Sequence, residues 1–235
     1  EPLSAAIVRG SFEYQGQKCS ACSRAFVPAS LWPKLEPLLK EQTAALKMGD
    51  VQEFDTFMAA VIDKASFENC RGYLERAKAS DQCEVVAGGH CDDSKGWFVE
   101  PTILRCKTPY YESMVQEIFG PIVSIYVYKD DQLEETLKIC DTASPYALTG
   151  AIFAQDRQAI VRMERALRNS CGNFYINDKC TGAIVGQQPF GGARASGTND
   201  KAGTSLNIIR WVSAHAVKEA FSPSCSINYP YMQEP

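Results

Sequence analysis

Cys19 stands in the run Gly16-Gln17-Lys18-Cys19-Ser20-Ala21-Cys22-Ser23-Arg24. A thiol attacks a carbonyl carbon only as the thiolate. It therefore needs a lowered pKa or a nearby base, and hydrogen-bond donors for the oxyanion that forms. The glycine and glutamine ahead of Cys19 suit a turn with exposed backbone N–H groups. Residue type alone does not single it out, because the chain has ten cysteines. Cys19 and Cys22 also make a Cys-x-x-Cys, the spacing of a dithiol pair or of half a zinc site. A dithiol pair usually has flanking Trp or Pro, and neither is present. A zinc site needs a second pair, but there is no other Cys-x-x-Cys and no His-x-His; His90 and His215 are the only histidines. No metal is expected, and a thiol-redox role for Cys19 and Cys22 stays open. Two later segments carry further chemistry. Glu117-Ile118-Phe119-Gly120-Pro121 sets a carboxylate beside an aromatic ring. The Gly-rich stretch from Thr181 to Gly197 offers backbone N–H groups to an anion, or is a tight surface turn.

Alternating helices and strands must position these residues. Ser30 is a plausible N-cap for a helix with the stripe Leu31, Leu35, Leu38, Leu39 and Leu46. Pro33 suits its first turn, whereas Pro37 should kink it or shift its start. It ends at Met48-Gly49-Asp50. A second helix is predicted from about Lys64 to Ala79. Cys83–Ala87 and Trp97–Leu104 read as strands joined by a polar loop. Ile122–Tyr128 is a β-branched and aromatic strand. A helix over Gln132–Asp141 follows, then a strand over Leu148–Ala154, a helix over Arg157–Arg168 and a strand over Gly172–Asn177. This alternation predicts an α/β fold, a layered and mostly parallel sheet with flanking helices. Leu206–Ala220 is an amphipathic segment, and an irregular stretch with Pro223, Pro230 and Pro235 follows.

Composition narrows the function classes. The chain has 235 residues, 45% hydrophobic content and a net charge of −4. That charge gives no case for nucleic acid or an anionic membrane. No apolar run is long enough to cross a bilayer. The first nine residues show no basic leader or signal-peptide core. Scattered cysteines in a chain able to build a core argue for reduced thiols. Cys70, Cys140 and Cys171 read as small buried hydrophobes.

Phe12-Glu13-Tyr14-Gln15-Gly16-Gln17-Lys18-Cys19 is similar to the active-site segment of the aldehyde dehydrogenases, which runs through Gly-Gln-x-Cys. Glu117 to Pro121 resembles that family's Glu-x-Phe-Gly-Pro segment. A third match is Phe174-Tyr175-Ile176-Asn177-Asp178 followed by Pro189-Phe190-Gly191-Gly192 and Ser196-Gly197. Lys18 to Arg24 and the run Thr181 to Asp200 resemble the branch that oxidises L-glutamate γ-semialdehyde in proline catabolism. The resemblance implies Cys19 as nucleophile and Glu117 and Phe119 as contacts to the ribose and nicotinamide of NAD. It implies Ser20, Gly182 and Ala183 as anchors for the substrate carboxylate, and Phe190 against its aliphatic part. It also implies a mitochondrial matrix location.

In that family the general-base Glu, the oxyanion Asn and the NAD-binding domain lie upstream of the cysteine. Only eighteen residues precede Cys19, and no Gly-x-Gly-x-x-Gly follows a strand. Glu1 and Glu13 do not fit the base's context. The expectation is therefore a catalytic domain over residues 1–196 and a C-terminal extension over 197–235 that packs in an oligomer. The NAD-binding domain would be absent and the chain inactive alone. Its partner would be that missing N-terminal half or another protein subunit. A second reading makes the chain a truncated, non-catalytic paralogue serving as an interaction subunit, with an apolar face turned to its partner.

Overall fold

The computed structural model describes residues 1–232; Pro235, the last proline of the expected irregular tail, lies outside them. The first half holds α1 (Pro2–Phe12), β1 (Arg24–Pro28), α2 (Trp32–Ala44), α3 (Lys64–Ala79), β2 (Cys83–Ala87) and β3 (Cys91–Asp92). Then come β4 (Phe98–Val99), β5 (Thr102–Cys106), α4 (Glu112–Val115), β6 (Ile122–Tyr128) and α5 (Leu133–Thr142). The rest holds β7 (Tyr146–Ala147), β8 (Thr149–Ile152), α6 (Arg157–Leu167), β9 (Asn173–Ile176), β10 (Ala193–Arg194) and α7 (Ser205–Ile208).

The main sheet runs β1-β6-β5-β2. β6 pairs in parallel with β1 and β5, and β2 joins the edge antiparallel. Both faces are covered, which is why β5 and β6 read as near-continuous apolar runs. Ile103, Val123 and Ile125 meet Ile7, Val8 and Phe12 of α1 and Leu35 and Leu39 of α2. Leu104, Cys106 and Ile122 meet Phe67, Cys70, Leu74 and Ala77 of α3 on the other face. A smaller parallel pair, β8 with β9, packs Ile152 against Leu137 of α5 and Ile160 and Leu167 of α6. Helix starts follow local chemistry. Asp63 accepts from the Ser66 N–H at 2.8 Å and Asp156 from the Gln158 N–H at 2.9 Å, each a side-chain N-cap.

Several sequence expectations change. Trp97–Leu104 is not one strand. Pro101, without an N–H, separates β4, which pairs with β3, from β5 in the main sheet. Ser30 does not cap α2. Its hydroxyl donates to Asp130 at 2.6 Å, and Leu31 holds the cap position. The helix runs through Pro37 and ends at Ala44. β6 and β8 are not sheet neighbours; the helix α6 instead links the paired β8 and β9. Leu206–Ala220 is helical only over Ser205–Ile208, with a 3-10 turn at Ile209–Trp211. No helix among the described residues is long and apolar enough to cross a membrane.

Candidate active site

α1 ends at the fully buried Phe12. The chain then reverses through three consecutive left-handed residues, Tyr14 (φ 58°), Gln15 (φ 58°) and Gly16 (φ 64°). Such backbone costs about 1 kcal/mol or more per non-glycine residue, so surrounding contacts must hold it. Gln15 Nε2 donates to the Ala60 carbonyl at 3.2 Å, and Gln17 Oε1 accepts from the Ile62 N–H at 2.9 Å. The Ala21 N–H closes a turn onto the Lys18 carbonyl at 3.0 Å, and the Cys22 N–H reaches back to Gly10 at 2.9 Å. Cys19 sits at the first central position of that turn, exposed.

The Gly120 backbone lies directly against Gly16. A Cβ on Gly16 would sit 2.3 Å from the Gly120 carbonyl oxygen. This contact brings the Glu117–Pro121 segment beside the cysteine turn. Asn69 Nδ2 donates to the Ile118 carbonyl at 3.0 Å and fixes the segment to α3. Glu117 and Phe119 remain exposed, Phe119 with φ 60°. A cleft of about 300 Å³ is lined by Cys19, Arg24, Glu117, Phe119, Tyr146 and Ser196, among others. The Arg24 guanidinium donates to the Met114 carbonyl at 3.3 Å and to the Cys140 carbonyl at 3.2 Å, joining β1 to the ends of α4 and α5.

Ser20, Gly182, Ala183 and Phe190 do not line that cleft. Ser20 is buried, and its hydroxyl pairs with that of Thr181 at 2.7 Å. Its carbonyl accepts from the Cys180 thiol at 3.4 Å. Ser20 thus lies beside the turn of Gly182 (φ +96°) and Ala183. Phe190 is half-buried and exchanges two backbone hydrogen bonds with Ala202. Asn173 holds its loop by donating to the Pro189 carbonyl at 2.9 Å and accepting from the Gly191 N–H at 3.2 Å. The Lys201 ammonium donates to the carbonyls of Gly172 (2.5 Å) and Gly191 (3.0 Å).

Sequence reasoning missed Thr181, whose only signal was its place just before the Gly-rich turn. It also missed the role of Glu13. This carboxylate accepts from Lys179 at 2.8 Å and Lys18 at 3.0 Å, and Arg9 stands 3.3 Å away. Burial pushes its pKa up, but the hydrogen bonds from Lys179 and Lys18 outweigh that and hold it below the usual carboxylate range. All ten cysteines are free. The Cys22 and Cys180 thiols are in hydrogen-bond contact, and that contact together with burial pushes the Cys180 thiol up. Burial raises Cys70 and Cys140 to about 12 each, which makes them inert fillers at neutral pH.

The aldehyde dehydrogenase family pattern matches residues 1–213. The chain belongs to the aldehyde dehydrogenase family. Among its relatives in that family, the mitochondrial Δ1-pyrroline-5-carboxylate dehydrogenase of Dictyostelium discoideum is 61% identical over 228 residues. That match covers 97% of this chain and 41% of the relative. The human mitochondrial Δ1-pyrroline-5-carboxylate dehydrogenase is 51% identical, with 99% of this chain and 42% of the relative covered. The crystal structure of the Mycobacterium tuberculosis Δ-pyrroline-5-carboxylate dehydrogenase superposes with a TM-score of 0.88 at 48% identity, covering 99% of this chain and 43% of that one. A structure of the same bacterial enzyme bound with NAD gives a TM-score of 0.86, with 99% and 42% of the two chains covered. The chain thus spans about two fifths of the length of these relatives.

Proposed function

We propose that this chain is the nucleophile-bearing part of an NAD-dependent dehydrogenase that oxidises L-glutamate γ-semialdehyde to L-glutamate. The observation that carries the reading is the single cleft uniting Cys19, Glu117 and Phe119, in a chain 61% identical to a Δ1-pyrroline-5-carboxylate dehydrogenase. Cys19, exposed at its turn, would add as thiolate to the aldehyde carbon and form a thiohemiacetal. The Cys19 backbone N–H would donate to the new oxyanion. Glu117 and Phe119 fit one end of the dinucleotide: an exposed carboxylate to accept from ribose hydroxyls and an exposed ring to pack on the nicotinamide. NAD, when bound, supplies the hydride acceptor. Ser20, Gly182 and Ala183 would hold the substrate carboxylate, and Phe190 would cover its aliphatic chain.

The general base and the dinucleotide-holding domain would come from the family length that this chain does not span. Residues 1–196 would form the catalytic domain. Residues 197–235 would pack in an oligomer, which the exposed Trp211, Phe221, Ile227 and Tyr231 support. The names of the eukaryotic relatives favour the mitochondrion, and we place the protein in the matrix. The test is NAD-dependent turnover of L-glutamate γ-semialdehyde by the full-length protein carrying this chain. Cys19→Ala is expected to abolish turnover while leaving the melting temperature in place. Full activity in that variant would refute the nucleophile assignment.

A further inference from the structure

Glu13, Lys18 and Lys179 form a charged cluster that the reaction sketched above leaves unused. Lys179 donates to both Glu13 oxygens, at 2.9 and 2.8 Å, and Lys18 donates to one at 3.0 Å. The three side chains are largely covered, with 22% exposure for Glu13, 27% for Lys18 and 23% for Lys179. Arg9, more open, completes the ring at 3.3 Å. With Arg9 screened by solvent, two largely covered cations share one carboxylate, and the cluster carries one surplus positive charge. The nearby Asp178 accepts from the Lys179 backbone N–H at 2.7 Å and is exposed, so solvent screens it.

Position gives this charge its meaning. Lys18 immediately precedes Cys19 on the nucleophile turn. Lys179 lies between β9 and the Gly-rich turn, and its ammonium lies 3.5 Å from where a Cβ on Gly182 would be. Its Cβ packs 3.7 Å from the corresponding point on Gly10 of α1. The cluster thus ties the turn that carries the nucleophile to the loop that would hold the far end of the substrate. An apolar contact would serve as a staple equally well. An ionic one with surplus positive charge also adds a positive potential around the Cys19 turn, where Lys18 lines the cleft with Cys19.

We propose that Glu13, Lys18 and Lys179 are positioning residues whose surplus positive charge selects aldehydes that carry a carboxylate over uncharged ones. This deepens the proposed function and rests on it for the identity of the substrate; the potential itself does not. Two readouts separate the parts. The first is the rate ratio for alkylation of Cys19 by iodoacetate against iodoacetamide, read on the Cys19 peptide by mass spectrometry in the full-length protein. N-acetylcysteine amide is the reference thiol. The wild-type ratio is expected to exceed the reference and to fall toward it as salt rises to about 0.5 M. Lys179→Met should lower the ratio about fivefold, the scale of losing one unit charge from a partly solvated site. Lys179→Arg should restore it.

The second readout is kcat/KM for L-glutamate γ-semialdehyde relative to butanal, which should fall by a similar factor in Lys179→Met. A purely structural staple would lower both substrates alike. A wild-type alkylation ratio equal to the reference, or a Lys179→Met ratio within about twofold of wild type, overturns the proposal. Should Lys179→Met fail to fold, the salt dependence of the wild-type ratio decides. A protein that shows the expected alkylation ratios but does not oxidise L-glutamate γ-semialdehyde would retain the charge assignment and lose the proposed reaction.

Discussion

Gly16→Ala tests whether the Cys19 turn is held by the backbone of Gly120. At φ +64° an added Cβ would stand 2.3 Å from the Gly120 carbonyl oxygen and 2.8 Å from the Ser11 carbonyl oxygen. Comfortable contact needs about 3.5 Å, so the turn or the Gly120 segment must yield by roughly 1 Å. Both obstacles are backbone, and neither can rotate away as a side chain would. Left-handed alanine costs about 1 kcal/mol, and displaced packing adds on the order of 2 kcal/mol. The sum of about 3 kcal/mol corresponds to a drop of roughly 6–12 °C in Tm for a domain of this size. If Cys19 is the nucleophile proposed above, a shift of about 1 Å between it and its surroundings should also cost on the order of 100-fold in kcat/KM. Gly186→Ala is the control. Its φ is +84°, but nothing lies within 4 Å of the added Cβ, so only the conformational term of about 1 kcal/mol applies. Calorimetry and steady-state kinetics on the full-length variants compare the two. Equal melting temperatures for the two variants, with kcat/KM undiminished in Gly16→Ala, would refute the reasoning.

Thr181→Val should leave the buried Ser20 hydroxyl without its 2.7 Å partner and destabilise the protein by about 1–3 kcal/mol, read by denaturant unfolding. Adding Ser20→Ala should recover part of that loss, and strict additivity of the two changes would count against the pair. The carboxyl of Glu13 is held below its ordinary 4.5, so the folded protein keeps this charge to lower pH than the unfolded chain does. Its stabilisation is complete above pH 4.5 and is lost as pH falls through the folded value. The Tm difference between wild type and Glu13→Gln should therefore be present at pH 7 and shrink as pH falls below 4.5. A difference that stays constant from pH 7 to pH 3 would rule out the ion pairs as its source.

The sequence showed the elements with strong periodicity or β-branched runs. α3, β6 and α6 lie where pattern and composition place them, because each buries a continuous apolar face. β1 was not legible. Arg24-Ala25-Phe26-Val27-Pro28 is short, ends in proline and buries only Val27, so no alternation marks it. Only its parallel pairing with β6, from Arg24 opposite Ser124 to Pro28 opposite Tyr128, makes it a strand. α1 was equally hidden: its own pattern is modest, and tertiary packing of Ile7, Val8 and Phe12 against the sheet stabilises it. Candidate site residues were legible where motifs carried them, and the structure brings Cys19, Glu117 and Phe119 to one cleft. Thr181 and Lys179 were not legible, because their roles arise from partners 161 and 166 residues away.

The two halves around Cys19 are joined by different kinds of contact, and that difference has consequences. On one side the turn rests on the segment leading into β6 through close backbone packing, Gly16 on Gly120, where no side chain can adjust. On the other side it meets the β8–β9 unit through polar side-chain contacts: Ser20 with Thr181, Glu13 with Lys179, and the Thr149 hydroxyl donating to the Ser20 carbonyl at 3.5 Å. Backbone packing in a close-packed core fixes position sharply. Hydrogen bonds and ion pairs between side chains can lengthen by tenths of an ångström at little cost. The cysteine turn and the Glu117–Phe119 segment should therefore keep their spacing, whereas the loop from Lys179 to Phe190 should shift more readily against them. Changes at Gly16 or Gly120 should then act on every substrate alike, whereas changes at Thr181 or Lys179 should discriminate among them.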